Sequence, residues 1–317
     1  MAESEDLPKE VIEDDDESMS SSDDENDDEL SEQEQKQVQS LKDAILKNPY
    51  DYDSYLTLIG LLKKAGEFLD LRSVRKSFAE HYPLSSEIWL DWIQDELKVA
   101  TSPEEKEHIE SLFRKAVKDY TSVELWLEFC QFSLAQLGAE GGLQKIRGVF
   151  EEAVVNVGVH VAKGSLIWET YREFENALLM ATPKNQDQMN IVDKIFRRQL
   201  VVPLLNMEAT YGEYIQWLSE MGLGTIDPNI ERGYKAAKEL LKIREPFEDS
   251  LIQAKDQSNV RTSLETYQDY IKEELKLGNP VRIQSIYERQ ITDHCLVPKS
   301  WLEYSDYLEN NLNIQGT

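Results

Sequence analysis

Apolar residues recur along the chain at the three- and four-residue spacing of an α-helix. Trp89, Trp92 and Ile93 stand at positions i, i+3 and i+4, and Glu96 follows at i+7. Residues at these spacings share one side of a helix, so the apolar members form a continuous stripe. The same register returns at 267–274, and the period-two alternation of a half-buried strand does not compete with it. We therefore predict an all-α protein.

A bulky pair recurs along this helical pattern, a Trp or Tyr followed three residues later by another large side chain. Its seven copies begin at residues separated by 34, 37, 42, 43, 56 and 34 positions, close to the period of helical-hairpin arrays. The first residues are Tyr55, Trp89, Trp126, Trp168, Tyr211, Tyr267 and Trp301. The second residues that we single out are Trp92, Phe129, Tyr171, Tyr214, Tyr270 and Tyr304.

A second aromatic motif follows each of the first six copies after 20 to 28 residues, a distance that fits two helices and a turn. Its residues are Phe78, Phe113, Phe150, Phe196, Tyr234 and Tyr287. Turn-forming sequences lie between the two motifs at 101–105, 137–142 and 277–280. We predict antiparallel helix pairs stacked pair on pair, in which the aromatic rings are core residues.

These motifs resemble the HAT (half-a-TPR) repeat, W-x-x-[YWF]-x-x-x-E in the first helix and R-x-[IV]-[FY]-E-R-A in the second. The Glu matches at Glu96, Glu175 and Glu274, and the Arg matches at Arg75 and Arg147. Other copies depart from the pattern, with Glu110, Asp193 and Gln284 in place of the Arg. The resemblance covers about residues 48–309 and implies a right-handed helical-hairpin solenoid.

Within this family, the stretches at 141–153, 163–175, 196–214 and 279–291 are similar to splicing factors that help U4 and U6 small nuclear RNPs reassemble. The resemblance implies a nuclear, non-enzymatic scaffold in pre-mRNA splicing, with protein partners of the spliceosomal snRNP pathway. The RNA recognition motifs of such factors are not found in this sequence, so we do not expect this segment to bind RNA directly. Dimerisation stays open, because the later repeats that carry self-association are also absent.

The charge divides the chain into two regions. Residues 1–33 carry a net charge of −15, against −12 over the remaining residues, and have too little apolar surface to fold. We predict a disordered acidic tail at 1–33 and a repeat array at 34–317, with six complete repeats and the first helix of a seventh, truncated one. In the tail, Ser20, Ser21 and Ser22 each precede an acid by three residues and are candidate phosphorylation sites.

Two places break the regular array. The 56-residue spacing precedes Tyr267, and we expect a short extra helix there that starts near Pro246, a residue type favoured at the first helical position. After the last bulky pair no second helix follows, so we expect the face with Trp301, Tyr304 and Tyr307 to be left open.

Several functional classes lack support in the sequence. There is no signal peptide or membrane-length apolar run, and neither nucleotide-binding glycine signature is present. The four histidines and two cysteines show no metal-ligand spacing. We therefore expect no membrane association, no metal or other cofactor and no enzymatic activity.

Other functions remain open at this stage. The chain could be a HAT scaffold of 3′-end cleavage or ribosomal RNA processing. Alternatively, the acidic tail could act as an adaptor or chaperone for basic proteins such as histones. Direct RNA binding by the array is a third alternative, which the net negative charge disfavours.

Overall fold

The computed structural model describes residues 30–182 and 185–312, and these contain fourteen α-helices and no strand. The helices are α1 (Glu32–Lys47), α2 (Tyr52–Lys64), α3 (Phe68–His81), α4 (Ser86–Val99), α5 (Pro103–Ala116), α6 (Val123–Leu134), α7 (Gly142–Val157), α8 (Gly164–Ala181), α9 (Gln186–Leu200), α10 (Met207–Glu220), α11 (Pro228–Asp256), α12 (Val260–Leu277), α13 (Pro280–Asp293) and α14 (Pro298–Leu312). The chain divides into two compact units, one ending at His81 and the other starting at Tyr82.

The first unit consists of α1 and the hairpin of α2 and α3. Helix α1 starts with a capping box, in which the Ser31 side chain accepts from the Glu34 amide and the Glu34 carboxylate accepts from the Ser31 amide. Lys64 of α2 also donates to Glu34 at 2.8 Å, and these hydrogen bonds lower the pKa of Glu34 to about 2. Leu58 and Leu71 are buried in the small core of this unit.

The second unit contains five hairpins, α4/α5, α6/α7, α8/α9, α10/α11 and α12/α13, followed by α14. Local sequence signals explain where several of its helices begin and where α12 ends. Ser102 caps α5 in a second capping box, and Asn279 caps α13 with Pro280 in the first turn. Gly278 ends α12 in the left-handed conformation, with φ 74°, which costs glycine little.

Helix α11 corrects one expectation from the sequence. It runs without interruption for 29 residues, and Pro246 lies inside it rather than at the start of a separate helix. A proline in a helix interior removes one backbone hydrogen bond and crowds the preceding turn, at a cost of about 3 kcal/mol. Burial of Leu241, Arg244, Glu248 and Leu251 on both sides of the proline holds the helix together.

The prediction of an all-α helical-hairpin repeat fold is confirmed for the described residues. Helix α1 begins at Glu32, so only residues 1–29 of the predicted tail, with Ser20, Ser21 and Ser22, lie outside the described residues. Over the described ranges, no helix is long and apolar enough to cross a membrane.

Candidate functional site

Aromatic ring pairs, four of them stacked and the Phe196–Tyr214 pair tilted, join each hairpin of the second unit to the next helix. In each pair, one ring comes from the second helix of a hairpin and the other from the first helix of the following hairpin. The centroid distances are 5.0 Å for Phe113–Phe129, 4.8 Å for Phe150–Tyr171, 5.0 Å for Phe196–Tyr214, 4.8 Å for Phe247–Tyr270 and 5.1 Å for Tyr287–Tyr304. Such pairs add about 0.5–1.5 kcal/mol to the burial of the rings.

Most of the predicted repeat positions lie in the protein interior. The buried ones are Tyr55, Phe78, Trp89, Trp92, Glu96, Phe113, Trp126, Phe129, Phe150, Trp168, Tyr171, Glu175, Phe196, Tyr214, Tyr234, Tyr267, Tyr270, Glu274 and Tyr287. Tyr211 and Tyr304 are half-buried, and Trp301 is 43% exposed. Buried rings cannot stack on the bases of an RNA strand, so the structure places these side chains in packing roles.

The expectation of an open face on α14 is wrong for two of its three rings. Tyr304 and Tyr307 stack on Tyr287 of α13, with centroid distances of 5.1 and 5.5 Å. Within the second unit, each later hairpin packs its first helix on the second helix of the preceding hairpin, and α14 packs on α13 in the same way. Trp301 stays largely exposed, and its indole N–H donates to the Cys295 carbonyl at 2.8 Å.

Arg–Glu ion pairs accompany two of the ring junctions, one of them partly buried and the other fully buried. Arg147 of α7 donates from Nε and Nη2 to the two oxygens of Glu175 at 2.7 and 2.8 Å. Gln188 of α9 donates to the Glu175 carboxylate at 2.7 Å and completes this network. Arg244 of α11 makes the equivalent two-pronged contact with Glu274 of α12.

Arg244 is not among the repeat positions predicted from the sequence, although a signal for it exists. Arg244 and Phe247 repeat the Arg-x-x-Phe spacing of Arg147 and Phe150. Phe247 stacks on Tyr270, a role for which the sequence pattern predicts Tyr234. Tyr234 instead stacks on Tyr211, with a centroid distance of 4.2 Å. Pro246 lies between Arg244 and Phe247 and resembles the first residue of a helix. For this reason the Arg-x-x-Phe motif at 244–247 was not recognised from the sequence.

A further buried pair, also missed, joins α11 to α13. Arg289 donates to both oxygens of Glu248 at 2.7 and 2.8 Å, and the Tyr270 hydroxyl donates to the same carboxylate at 3.1 Å. Burial alone would lower the pKa of Arg289, but the two hydrogen bonds and the charge of Glu248 raise it. No local sequence pattern marks this pair, because its members are 41 residues apart and on non-consecutive helices.

Arg282 connects helix α13 to two distant loops. Its Nη1 donates to the Val159 carbonyl at 2.7 Å and its Nη2 to the Pro203 carbonyl at 3.4 Å, across 123 and 79 residues of sequence. The side chain is buried, and burial followed by repulsion from Arg244 lowers the pKa of Arg282 to about 10. Arg282 therefore holds hairpins α6/α7, α8/α9 and α12/α13 in one compact arrangement.

A cleft of about 570 Å³ lies inside the second unit, between helices that are far apart in sequence. One wall comes from the N-terminal ends of α4 and α6 and the loop before α8, with Glu87, Glu124 and His160. The rest of the lining comes from the second half of α11, the start of α12 and the end of α13, with Lys255 and Asp293. A cavity of this size suits a ligand or a short peptide segment.

Two charge pairs neutralise much of the cleft wall. Lys163 bonds to Glu124, and Arg289 is paired with Glu248 behind Tyr267. His160 accepts from the Lys163 amide through Nδ1 at 3.2 Å, which leaves its other ring nitrogen as the donor. Burial, with the positive charges of Arg289 and Lys163, lowers the pKa of His160 well below 6.5, so this histidine is neutral.

Two acids of the cleft keep free acceptor oxygens. Glu87 is exposed and makes no hydrogen bond or ion pair with the rest of the described chain. Asp293 accepts a hydrogen bond from the Tyr267 hydroxyl through Oδ2, and its Oδ1 makes no hydrogen bond with the described residues. Lys255, which also lines the cleft, is exposed and makes no hydrogen bond or ion pair with the described residues.

The side chains of the described ranges do not form a metal centre. No three His, Cys, Asp or Glu residues gather there in a way that could hold a metal ion. Burial raises the pKa of the Cys130 thiol to about 12, so this cysteine is not a nucleophile at neutral pH.

Comparison with known proteins places this architecture in a family. The family model described as Suppressor of forked protein (Suf) matches residues 36–317. The chain is 40% identical to the spliceosome associated factor 3, U4/U6 recycling protein of Homo sapiens over 281 residues, 89% of this chain and 28% of that protein. The protein of the same name in Danio rerio is 35% identical over 292 residues, 88% of this chain and 30% of that protein.

A more distant relative acts at mRNA 3′ ends. The mRNA 3′-end-processing protein rna14 of Schizosaccharomyces pombe is 24% identical over 181 residues, 56% of this chain and 24% of that protein. The chain thus spans less than a third of the length of these relatives. The resemblance to HAT-repeat splicing factors is confirmed.

Proposed function

Because the chain belongs to the Suppressor of forked (Suf) protein family, we propose that it is a non-enzymatic protein-interaction scaffold in nuclear pre-mRNA splicing. In this role it assists the assembly and recycling of U4/U6 small nuclear RNPs. The observation that carries the proposal is the similarity to U4/U6 recycling proteins, which extends over almost the entire helical array.

The geometry of the array supports a scaffold. Its aromatic rings are used in packing between hairpins, and Arg–Glu ion pairs accompany two of the junctions. A helical array built in this way presents a preformed surface to partners and loses little conformational entropy on binding. The partners that we propose are proteins of the spliceosomal snRNP pathway, and the site of action is the nucleus.

Capture from nuclear extract tests this function. The immobilised full chain is incubated with extract, and bound U4 and U6 RNAs and snRNP proteins are quantified before and after ribonuclease treatment. We expect snRNP proteins to be enriched and to stay bound after the RNA is digested. Absence of U4/U6 components, or their complete loss with the RNA, would contradict a protein scaffold.

A full-length variant separates the array from the acidic N-terminal segment. The acids of residues 23–29 are replaced by Asn and Gln, which removes six negative charges and keeps the array intact. If the array captures the partners, enrichment persists in this variant. Loss of capture, together with strong salt sensitivity in the unaltered chain, would favour the acidic-segment adaptor instead.

The similarity to rna14 favours a second candidate, a scaffold of mRNA 3′-end processing. The same capture experiment distinguishes the two candidates. Enrichment of cleavage and polyadenylation proteins without U4/U6 components would select the second one.

A further inference from the structure

The cleft of the second unit has the dimensions of a peptide-binding site. Helices α4, α6 and α8 pack side by side, and the residues at or just before their N-terminal ends form one wall. Packed helices lie about 8–10 Å apart, so this wall extends for about 16–20 Å. An extended polypeptide rises about 3.3 Å per residue, so about five to six residues fit along the wall.

The charged side chains of the cleft that are not in ion pairs carry a net negative charge. After pairing of Lys163 with Glu124 and of Arg289 with Glu248, the cleft retains the carboxylates of Glu87 and Asp293 and the ammonium of Lys255. The two histidines of the cleft do not reduce this net negative charge. Burial lowers the pKa values of both His160 and His294 from 6.5, which keeps both rings neutral at neutral pH.

The two acids line the cleft from different helices. Glu87 lies in the first turn of α4, and Asp293 is the last residue of α13. Asp293 is held by the Tyr267 hydroxyl through one oxygen, which leaves the other available to a donor from a ligand. The rest of residues 34–317 carries a net negative charge and attracts cationic segments at long range.

We infer that this cleft binds an extended basic segment of a partner protein, whose Lys or Arg side chains pair with Glu87 and Asp293. Leu90, Leu251, Ile252 and Val260 contact the aliphatic parts of these side chains. His160, through its free ring N–H, and Lys255 donate to backbone carbonyl groups of the segment. The inference deepens the proposed scaffold function and rests on it for the protein nature of the partner.

Hydrogen-exchange mass spectrometry of the full chain with a synthetic peptide tests the inference. The probe is a short peptide that alternates Arg and Lys with Gly and Ser, at physiological salt. We expect slower amide exchange at 84–90, 121–126, 160–166 and 255–263, the segments that form the cleft. This local readout separates cleft binding from attraction of the peptide to the acidic N-terminal segment.

A pair of double variants with equal charge change provides the control. In Glu87→Gln/Asp293→Asn we expect about five- to tenfold weaker peptide binding at the cleft and loss of the protection. In Glu220→Gln/Asp249→Asn, where both acids are exposed and outside the cleft, we expect protection to persist. Circular dichroism establishes that both variants keep their helical content.

Three results would overturn the inference: no protection at the cleft, equal protection in both double variants, or equal protection by a peptide with Glu and Asp in place of Arg and Lys. None of these depends on capture of snRNP proteins. A chain that captures U4/U6 components but ignores the basic peptide would refute the cleft inference alone. A chain that binds the peptide but captures no such component would refute the splicing role alone.

Discussion

Arg244 and Glu274 form a buried, two-pronged ion pair at the junction of α11 and α12. The Nε–Oε1 and Nη2–Oε2 distances are 2.5 and 3.0 Å, and both side chains are almost inaccessible to water. The pair repeats the Arg147–Glu175 contact of an earlier junction. The same polar contact therefore lies beside a ring stack at both junctions, although the spacing of the aromatic motifs differs between these two parts of the sequence.

Removal of one partner of this pair should destabilise the second unit strongly. Glu274→Gln leaves the Arg244 guanidinium buried without a countercharge, and we expect the free energy of unfolding to fall by about 3–5 kcal/mol in urea denaturation. Glu273→Gln is the control, because Glu273 pairs with Lys276 at the surface and should contribute at most about 0.5 kcal/mol. Replacement of both buried partners, Arg244→Met with Glu274→Leu, should restore most of the loss. A double variant as unstable as Glu274→Gln would contradict this explanation.

The ring stacks should contribute directly to the stability of the array. Phe150 is fully buried and stacks on Tyr171 at 4.8 Å, so Phe150→Ala should cost about 3–5 kcal/mol. Val155→Ala on the exposed side of the same helix should change stability by less than about 0.5 kcal/mol. Equal urea midpoints for the two variants would show that the Phe150 ring is not a core residue.

Arg282 should hold the distant loops together. In Arg282→Met the Val159 and Pro203 carbonyls lose a charged donor, and we expect about 2–3 kcal/mol lower stability with faster amide exchange at 157–164 and 201–206. The control is Arg261→Met, since Arg261 is exposed and pairs with Glu265 within one helix. If exchange at the two loops is unchanged in Arg282→Met, the connecting role of Arg282 is wrong.

His160 should make stability depend on pH in the acidic range. Its pKa is lowered by burial and then by Arg289 and Lys163, so the unfolded chain binds a proton at pH values where the folded protein does not. Stability should therefore fall as the pH drops below 6.5, by about 1.4 kcal/mol per pH unit until the folded pKa is reached. In His160→Gln this part of the loss should disappear, measured as unfolding free energy at pH 7.5 and 5.5. Parallel pH profiles for the two proteins would contradict the prediction.

The sequence predicts the local elements of this fold better than their long-range contacts. The spacing of Trp89, Phe113 and Trp126 is sufficient to predict hairpins, because ring positions at helical period mark the buried stripe. The contacts of Arg282 with Val159 and Pro203 join residues that are distant in sequence, and no local pattern records them. The cleft was equally inaccessible to sequence reasoning, because its walls come from non-consecutive helices.

Fluorescence anisotropy of labelled U6 RNA at physiological salt tests most directly whether the array recognises proteins rather than nucleic acid. Because the rings are buried and the array is acidic, we predict that the dissociation constant of the full chain is weaker than about 1 µM. Substitution of the exposed ring, Trp301→Ala, should leave the anisotropy unchanged. Nanomolar binding that Trp301→Ala abolishes would contradict the account.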